Sequence, residues 1–92
     1  MEELLKQAEA GDTDAMYALG RGYQFAKFEE RPDYEKAFYW YEKAAQLKHI
    51  EAMSSLADAL TLGRGCKRDS EMAHVWYQEV YEMGRAKTRN KK

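Results

Sequence analysis

The chain contains the same passage twice. Displaced by 37 positions, Ala15-Met16 falls on Ala52-Met53 and Leu19 on Leu56. Displaced by 36, Asp33 falls on Asp69, Glu35 on Glu71, Ala37 on Ala73 and Trp40-Tyr41 on Trp76-Tyr77. These are the chain's 2 tryptophans, so the register is anchored on its scarcest large side chain. The change of offset puts a one-residue insertion in the first copy between Phe25 and Asp33, and insertions belong in loops. Units of this length stack, each burying its apolar face against its neighbours alone.

Each copy reads as two helices. Ala37, Trp40, Tyr41, Ala44 and Ala45 lie at i, i+3, i+4, i+7 and i+8, one apolar face at helical period. Asp33 follows Pro32 and precedes that face, where a short carboxylate accepts from free backbone N–H groups. Asp69 does the same before Ala73, Trp76, Tyr77 and Val80. In the first half of each copy, Ala15, Leu19 and Tyr23 are echoed by Ala52, Leu56 and Leu60. Gly11, Gly63 and Gly84 each follow a helical pattern and are expected to end it in the left-handed conformation. The segment Glu2 to Ala10 has room for one helix, and Ala8, aligned with Ala45, makes it the second half of a truncated preceding copy. The spacing predicts helices over about 2–10, 13–25, 33–47, 50–62 and 69–83.

At these positions the chain resembles the Sel-one-like repeats (SLR), relatives of the tetratricopeptide repeats. The first copy supplies Ala15, Leu19-Gly20, Tyr23, Asp33, Ala37 and Trp40-Tyr41-Glu42-Lys43-Ala44-Ala45. The second supplies Ala52, Leu56, Leu60, Gly63-Arg64-Gly65, Asp69, Ala73 and Trp76-Tyr77. The resemblance implies an all-α fold, a right-handed α-α superhelix (α-solenoid) of two helix-turn-helix repeats plus an N-terminal capping helix. We expect one domain over 1–84, with a half-repeat helix at 1–11, repeats at 12–47 and 48–84, and a basic tail at 85–92. Three departures stand out. The first copy has Ala26-Lys27-Phe28 in place of the Gly-x-Gly loop. The second has Ala57 where the glycine of Leu-Gly falls, and Val80-Tyr81 where the paired alanines fall. Larger residues there hinder the close approach of another repeat, so the second copy is expected to end the stack or to meet a different surface. Two and a fraction repeats is short for a solenoid, which points to self-association through the C-terminal repeat or to an adapted cap.

Composition bounds the function. Of the 92 residues, 45% are hydrophobic and 34% charged, a folded composition. No apolar run approaches the ~20 residues that span a bilayer, and the opening Met1-Glu2-Glu3 is neither a secretory signal nor a basic transit peptide. The expected compartment is the cytoplasm, and no membrane partner is expected. A net charge of −1 gives no reason to expect nucleic acid as a partner. Arg85, Lys87, Arg89, Lys91 and Lys92 nevertheless leave 85–92 without an acid. That tail reads as a frayed, solvated terminus that could touch phosphate, or as cations continuing the last helix. The single Cys66 excludes an intramolecular disulfide and a multi-cysteine zinc site.

Catalytic constellations are sparse. His49 and His74 lie in different repeats and no metal-ligand spacing exists, so no catalytic residue, metal or cofactor is assigned. Cys66 lies eight residues before His74 without a third orienting group. Gly20-Arg21-Gly22 and Gly63-Arg64-Gly65 lack the strand and third glycine of a dinucleotide site.

The first helix of each stacked pair lines the inner curve, the usual binding surface. Opposite the apolar face of helix 13–25 lie Asp14, Tyr17, Arg21 and Gln24, with Glu51, Ser54, Asp58 and Thr61 as counterparts. This mixture suits a polar peptide or loop, although Arg21 and Asp58 could simply pair across the repeat junction, a contact of only ~0–1 kcal/mol. Tyr39, on the polar side of helix 33–47, is a possible outer-face contact. The expected function is a non-catalytic protein–protein interaction module: an adaptor, a scaffold or a small regulatory or inhibitory partner. Two alternatives from other classes are a small hydrolase similar to cysteine-rich β-lactam-binding relatives, whose paired cysteines are missing here, and nucleic-acid binding through the tail.

Overall fold

The structure, a computed structural model, describes residues 2–89, with side chains described through Arg85. Within that range the chain forms five helices: α1 (Glu2–Glu9), α2 (Thr13–Gln24), α3 (Tyr34–Gln46), α4 (Ile50–Leu62) and α5 (Ser70–Arg89). Each packs chiefly on its neighbours in sequence, α1 on α2, α2 on α3, α3 on α4 and α4 on α5. The result is a row of helices measuring 44 × 29 × 17 Å. None of the described helices is long and apolar enough to cross a membrane.

The helix starts follow from short acceptors placed before the apolar faces. Asp12 accepts from the Ala15 N–H at 3.1 Å, Asp33 from Lys36 at 3.1 Å and Asp69 from Met72 at 3.0 Å. Each satisfies a donor that the first helical turn leaves without a partner. At α4 the acceptor is an imidazole instead, His49 Nδ1 taking the Ala52 N–H at 3.2 Å.

The helix ends obey the repeat until the last one. Gly11, Lys48 and Gly84 are equivalent positions. Gly11 (φ 105°) and Lys48 (φ 70°) are left-handed, and the chain turns there into the next helix. Gly84 was expected to do likewise, and it does not. Helix α5 runs through it to Arg89, so the first part of the basic segment is helical rather than frayed. Gly84 has no positive φ, and the helix passes through it without a turn. Asn90–Lys92 and the side chains from Ala86 onward lie outside the described residues, as does the phosphate-contact reading that depends on them.

The loops within the two repeats, α2–α3 and α4–α5, differ in chemistry and close alike. In the second, Gly63 (φ 71°) caps α4 and Gly65 (φ 75°) is wedged so tightly that a Cβ there would collide with the Tyr34 carbonyl. In the first, Ala26 adopts the left-handed conformation (φ 57°) in Gly63's place. Phe28, in Gly65's place, turns its ring over Gly22 and edge-on to Tyr23 at 5.2 Å. Both loops are tied by the same hydrogen bond, Asp33 N–H to Tyr23 carbonyl and Asp69 N–H to Leu60 carbonyl, each 2.9 Å. The inserted residue is absorbed between these fixed ends.

The core is small side chains around a few large ones. Ala8, Ala44, Ala45, Ala52 and Ala57 are wholly buried beside Leu19, Met53 and Leu56. Gly20 admits the Tyr41 ring: a Cβ on it would come within 2.5 Å of that ring. The expectation that Trp76-Tyr77 bury the same seam as Trp40-Tyr41 needs correcting. Trp40 and Tyr41 are buried, whereas Trp76 is half-buried and Tyr77 exposed; among the described residues no further helix packs over them.

Candidate protein-interaction face

The residues expected on the inner face lie along α2 and α4, and most are engaged by His49 or by a tyrosine. The N-terminus of α4 meets the first turn of α2 through His49. Because Nδ1 is occupied by the Ala52 N–H, Nε2 must carry the ring proton, and it donates to Asp14 Oδ1 at 2.8 Å. The same imidazole stacks against Tyr17, with ring centroids 4.9 Å apart, while Tyr17 leans on Tyr41 at 5.9 Å. Glu51 is 3.7 Å from His49 Nδ1. Arg21 donates to the Tyr17 hydroxyl at 3.3 Å and its guanidinium lies over the Phe25 ring at 5.4 Å. That hydroxyl raises the Arg21 pKa further, so the group is a permanent cation.

One step toward the loop end, Tyr41 donates its hydroxyl proton to Gln24 Oε1 at 2.6 Å. In the second copy Tyr77 donates to Asp58. The tyrosine of each Trp-Tyr pair therefore latches a polar residue of the first helix in its own repeat. Arg21 and Asp58 consequently do not pair across the junction, since each has a nearer partner. Gln24, Tyr41, Ser55, Asp58, Leu62 and Arg64 surround a cleft of about 20 Å³, room for a single water molecule.

Exposure separates these residues by use. The Asp14 and Glu51 carboxylates, Arg21 and Asp58 face solvent; Tyr17, Gln24 and Ser54 are half-buried beneath them. Tyr39 is exposed on α3, edge-on to Trp40 at 5.1 Å and with Lys43 above its ring at 5.4 Å. It borders a groove of about 380 Å³ with Ala8, Glu9, Met16, Trp40 and Leu47. Sequence reasoning did not single out His49 as the residue that joins α4 to Asp14 and Tyr17. Its alignment with Asp12, the cap of the preceding first helix, was the available signal. Phe25 and Leu62, exposed at the ends of α2 and α4, were also not among the expected contacts.

Cys66 is not poised as a nucleophile. Burial, and then Asp69 and Glu42, push its pKa up, and its thiol points at the Ala59 carbonyl at 3.5 Å. His74 pairs with Gln78 on its own helix at 3.2 Å. Among the described residues no group of three or more His, Cys, Asp or Glu could hold a metal ion.

The geometry is that of a two-repeat helical stack, and comparison with known proteins agrees. The sequence profile of the Sel1 repeat matches residues 13–49 and 50–84. The chain is 42% identical over 45 residues to the Sel1-repeat-containing protein YbeQ of Escherichia coli (strain K12). That stretch is 49% of this chain and 14% of the relative, so the match spans only part of each. Sel1 repeats are in general protein-interaction modules and typically non-catalytic. With two consecutive repeats matched and both built as paired helices, the chain belongs to the Sel1-repeat family.

Proposed function

We propose that the chain is a non-catalytic interaction module that holds a polar peptide segment or loop of another protein along the face of α2 and α4. The contacts are Asp14, Arg21, Glu51 and Asp58, supported from below by Tyr17, Gln24 and Ser54. The observation that carries this reading is the bracing of exposed charges by internal contacts. Arg21 is held by Tyr17 and Phe25, Asp14 by His49 and Asp58 by Tyr77. Charged side chains already ordered lose less freedom when a partner arrives, which favours binding. One cation between acids selects a segment carrying both signs, or neutral amides, over a polyanion.

The test is co-purification or calorimetry with a candidate partner, comparing wild type with Arg21→Glu/Asp58→Lys. Tyr17 is left intact because its ring supports His49. Binding should fall at least tenfold, given about 1–2 kcal/mol for each charge contact reversed. Equal binding by both would refute the inner face. A Tyr39→Ala variant run beside it reports on the outer groove, where an exposed aromatic over a partly apolar floor gives a second place for a partner.

A further inference from the structure

Helix α5 carries a stripe that the repeat normally covers and that here is shaped for something else. His74, Tyr77, Gln78 and Tyr81 line a shallow groove along it, at i, i+3, i+4 and i+7. One repeat earlier the positions of Tyr77 and Tyr81 are sealed on α3 where α4 packs: Tyr41 is 2% exposed and Ala45 0%. On α5 Tyr77 is 40% exposed and Tyr81 62%. The face has also changed shape. Tyr81 stands where Ala45 lets the next helix approach and Val80 where Ala44 does, so a first-type helix cannot settle at the same depth. The helix passes straight through Gly84, the position at which the chain turns into the next helix in the earlier copies.

We propose that this stripe pairs, antiparallel and across a two-fold axis beside Gln78 and Glu79, with α5 of a second copy of this chain. The stripe is complementary to itself in that orientation. Tyr77 meets Tyr81 of the second copy, and the reverse, making a central four-tyrosine cluster. His74 comes over Gly84 of the second copy, where the missing side chain leaves space for the imidazole. On the flank Gln78 faces its own counterpart and Glu71 lies opposite Arg85 of the second copy. Two opposite-charge pairs thus close the interface. A parallel pairing would instead set Glu71 against Glu71 and Arg85 against Arg85, and would align rather than oppose the two helix dipoles. Within one copy Arg85 already lies over the Tyr81 ring at 5.8 Å, on the edge of the stripe. An interface made of one helix from each copy is small, so the dimer is concentration-dependent rather than obligate.

Sedimentation equilibrium of the full chain, from micromolar to millimolar, tests this with three variants. Wild type should show a monomer–dimer equilibrium. Glu71→Arg and Arg85→Glu should each weaken it by about tenfold, since symmetry turns two attractive exposed pairs into repulsive ones. The double variant Glu71→Arg/Arg85→Glu restores the pairs and should return to within about twofold of wild type. That rescue separates the interface from any change in helix stability, which the double variant would not repair. A monomer throughout the range overturns the proposal and leaves the stripe to another helix. A dimer indifferent to both single changes, or a double variant no better than either, overturns it as well.

Discussion

At Tyr41 one side chain performs three tasks: its ring lies on Gly20 and leans on the tilted ring of Tyr17, and its hydroxyl latches Gln24. Burial pushes its pKa up to about 12, with the Ser55 hydrogen bond acting against that rise. The ionised form is therefore disfavoured in the folded chain. The sign follows directly. The unfolded tyrosine loses its proton near pH 10 and the folded one near 12, so unfolding releases a proton in that window and stability falls as pH rises. Below pH 10 the contribution is fully present. Two pH units correspond to on the order of 2 kcal/mol. Urea denaturation at pH 8, 10 and 12 should show wild type losing about that much more than Tyr41→Phe. Parallel losses would mean the hydroxyl is not confined as the structure has it. Tyr77, raised through its bond to Asp58 and then by burial, is exposed and adds to the slope only weakly.

Among the elements, the α2–α3 loop departs most from its counterpart, the α4–α5 loop. Ala26 sits in the left-handed region that Gly63 occupies in the second loop, and a Cβ there costs about 1–2 kcal/mol. Glycine would relieve that strain while adding freedom to the unfolded chain, worth about 0.4–1 kcal/mol in the other direction. Ala26→Gly is therefore expected to be stabilising by up to about 1 kcal/mol, measured as a shift of the denaturation midpoint at unchanged slope. Destabilisation by a similar amount would show that the loop does not hold the left-handed turn. The second loop obeys the opposite constraint: Gly65 is both left-handed and pressed on the Tyr34 carbonyl, so no side chain fits.

For the whole molecule, the row of contacts dictates how stability is distributed. Helices α2, α3 and α4 each have a neighbour on both sides, whereas α1 packs chiefly on α2, and α5 chiefly on α4. In such a stack, stability is a sum of unit and nearest-neighbour terms, so the ends open first. Amide hydrogen exchange on dilute protein should be slowest in α3 and α4, and fastest in α1 and beyond Gly84 in α5. Uniform protection across all five helices would mean that the chain opens only as one unit. Raising the concentration should then protect α5 selectively, because the proposed pairing adds a neighbour there and nowhere else.

Helix positions, caps and the alternation of buried and exposed faces were legible in the residues, because each depends on geometry within a turn or two of one helix. Ala37, Trp40, Tyr41, Ala44 and Ala45 share a face whatever lies opposite, and Asp33 and Asp69 cap wherever a helix begins after them. The family resemblance rested on the same positions. Two features were not legible: His49 reaching back to Asp14 and Tyr17, and the tyrosine latches that take Gln24 and Asp58. Each depends on which side chain of one helix comes to rest opposite which side chain of another. Periodicity specifies angles about one helix axis. The offset between two axes appears only when the helices have been packed.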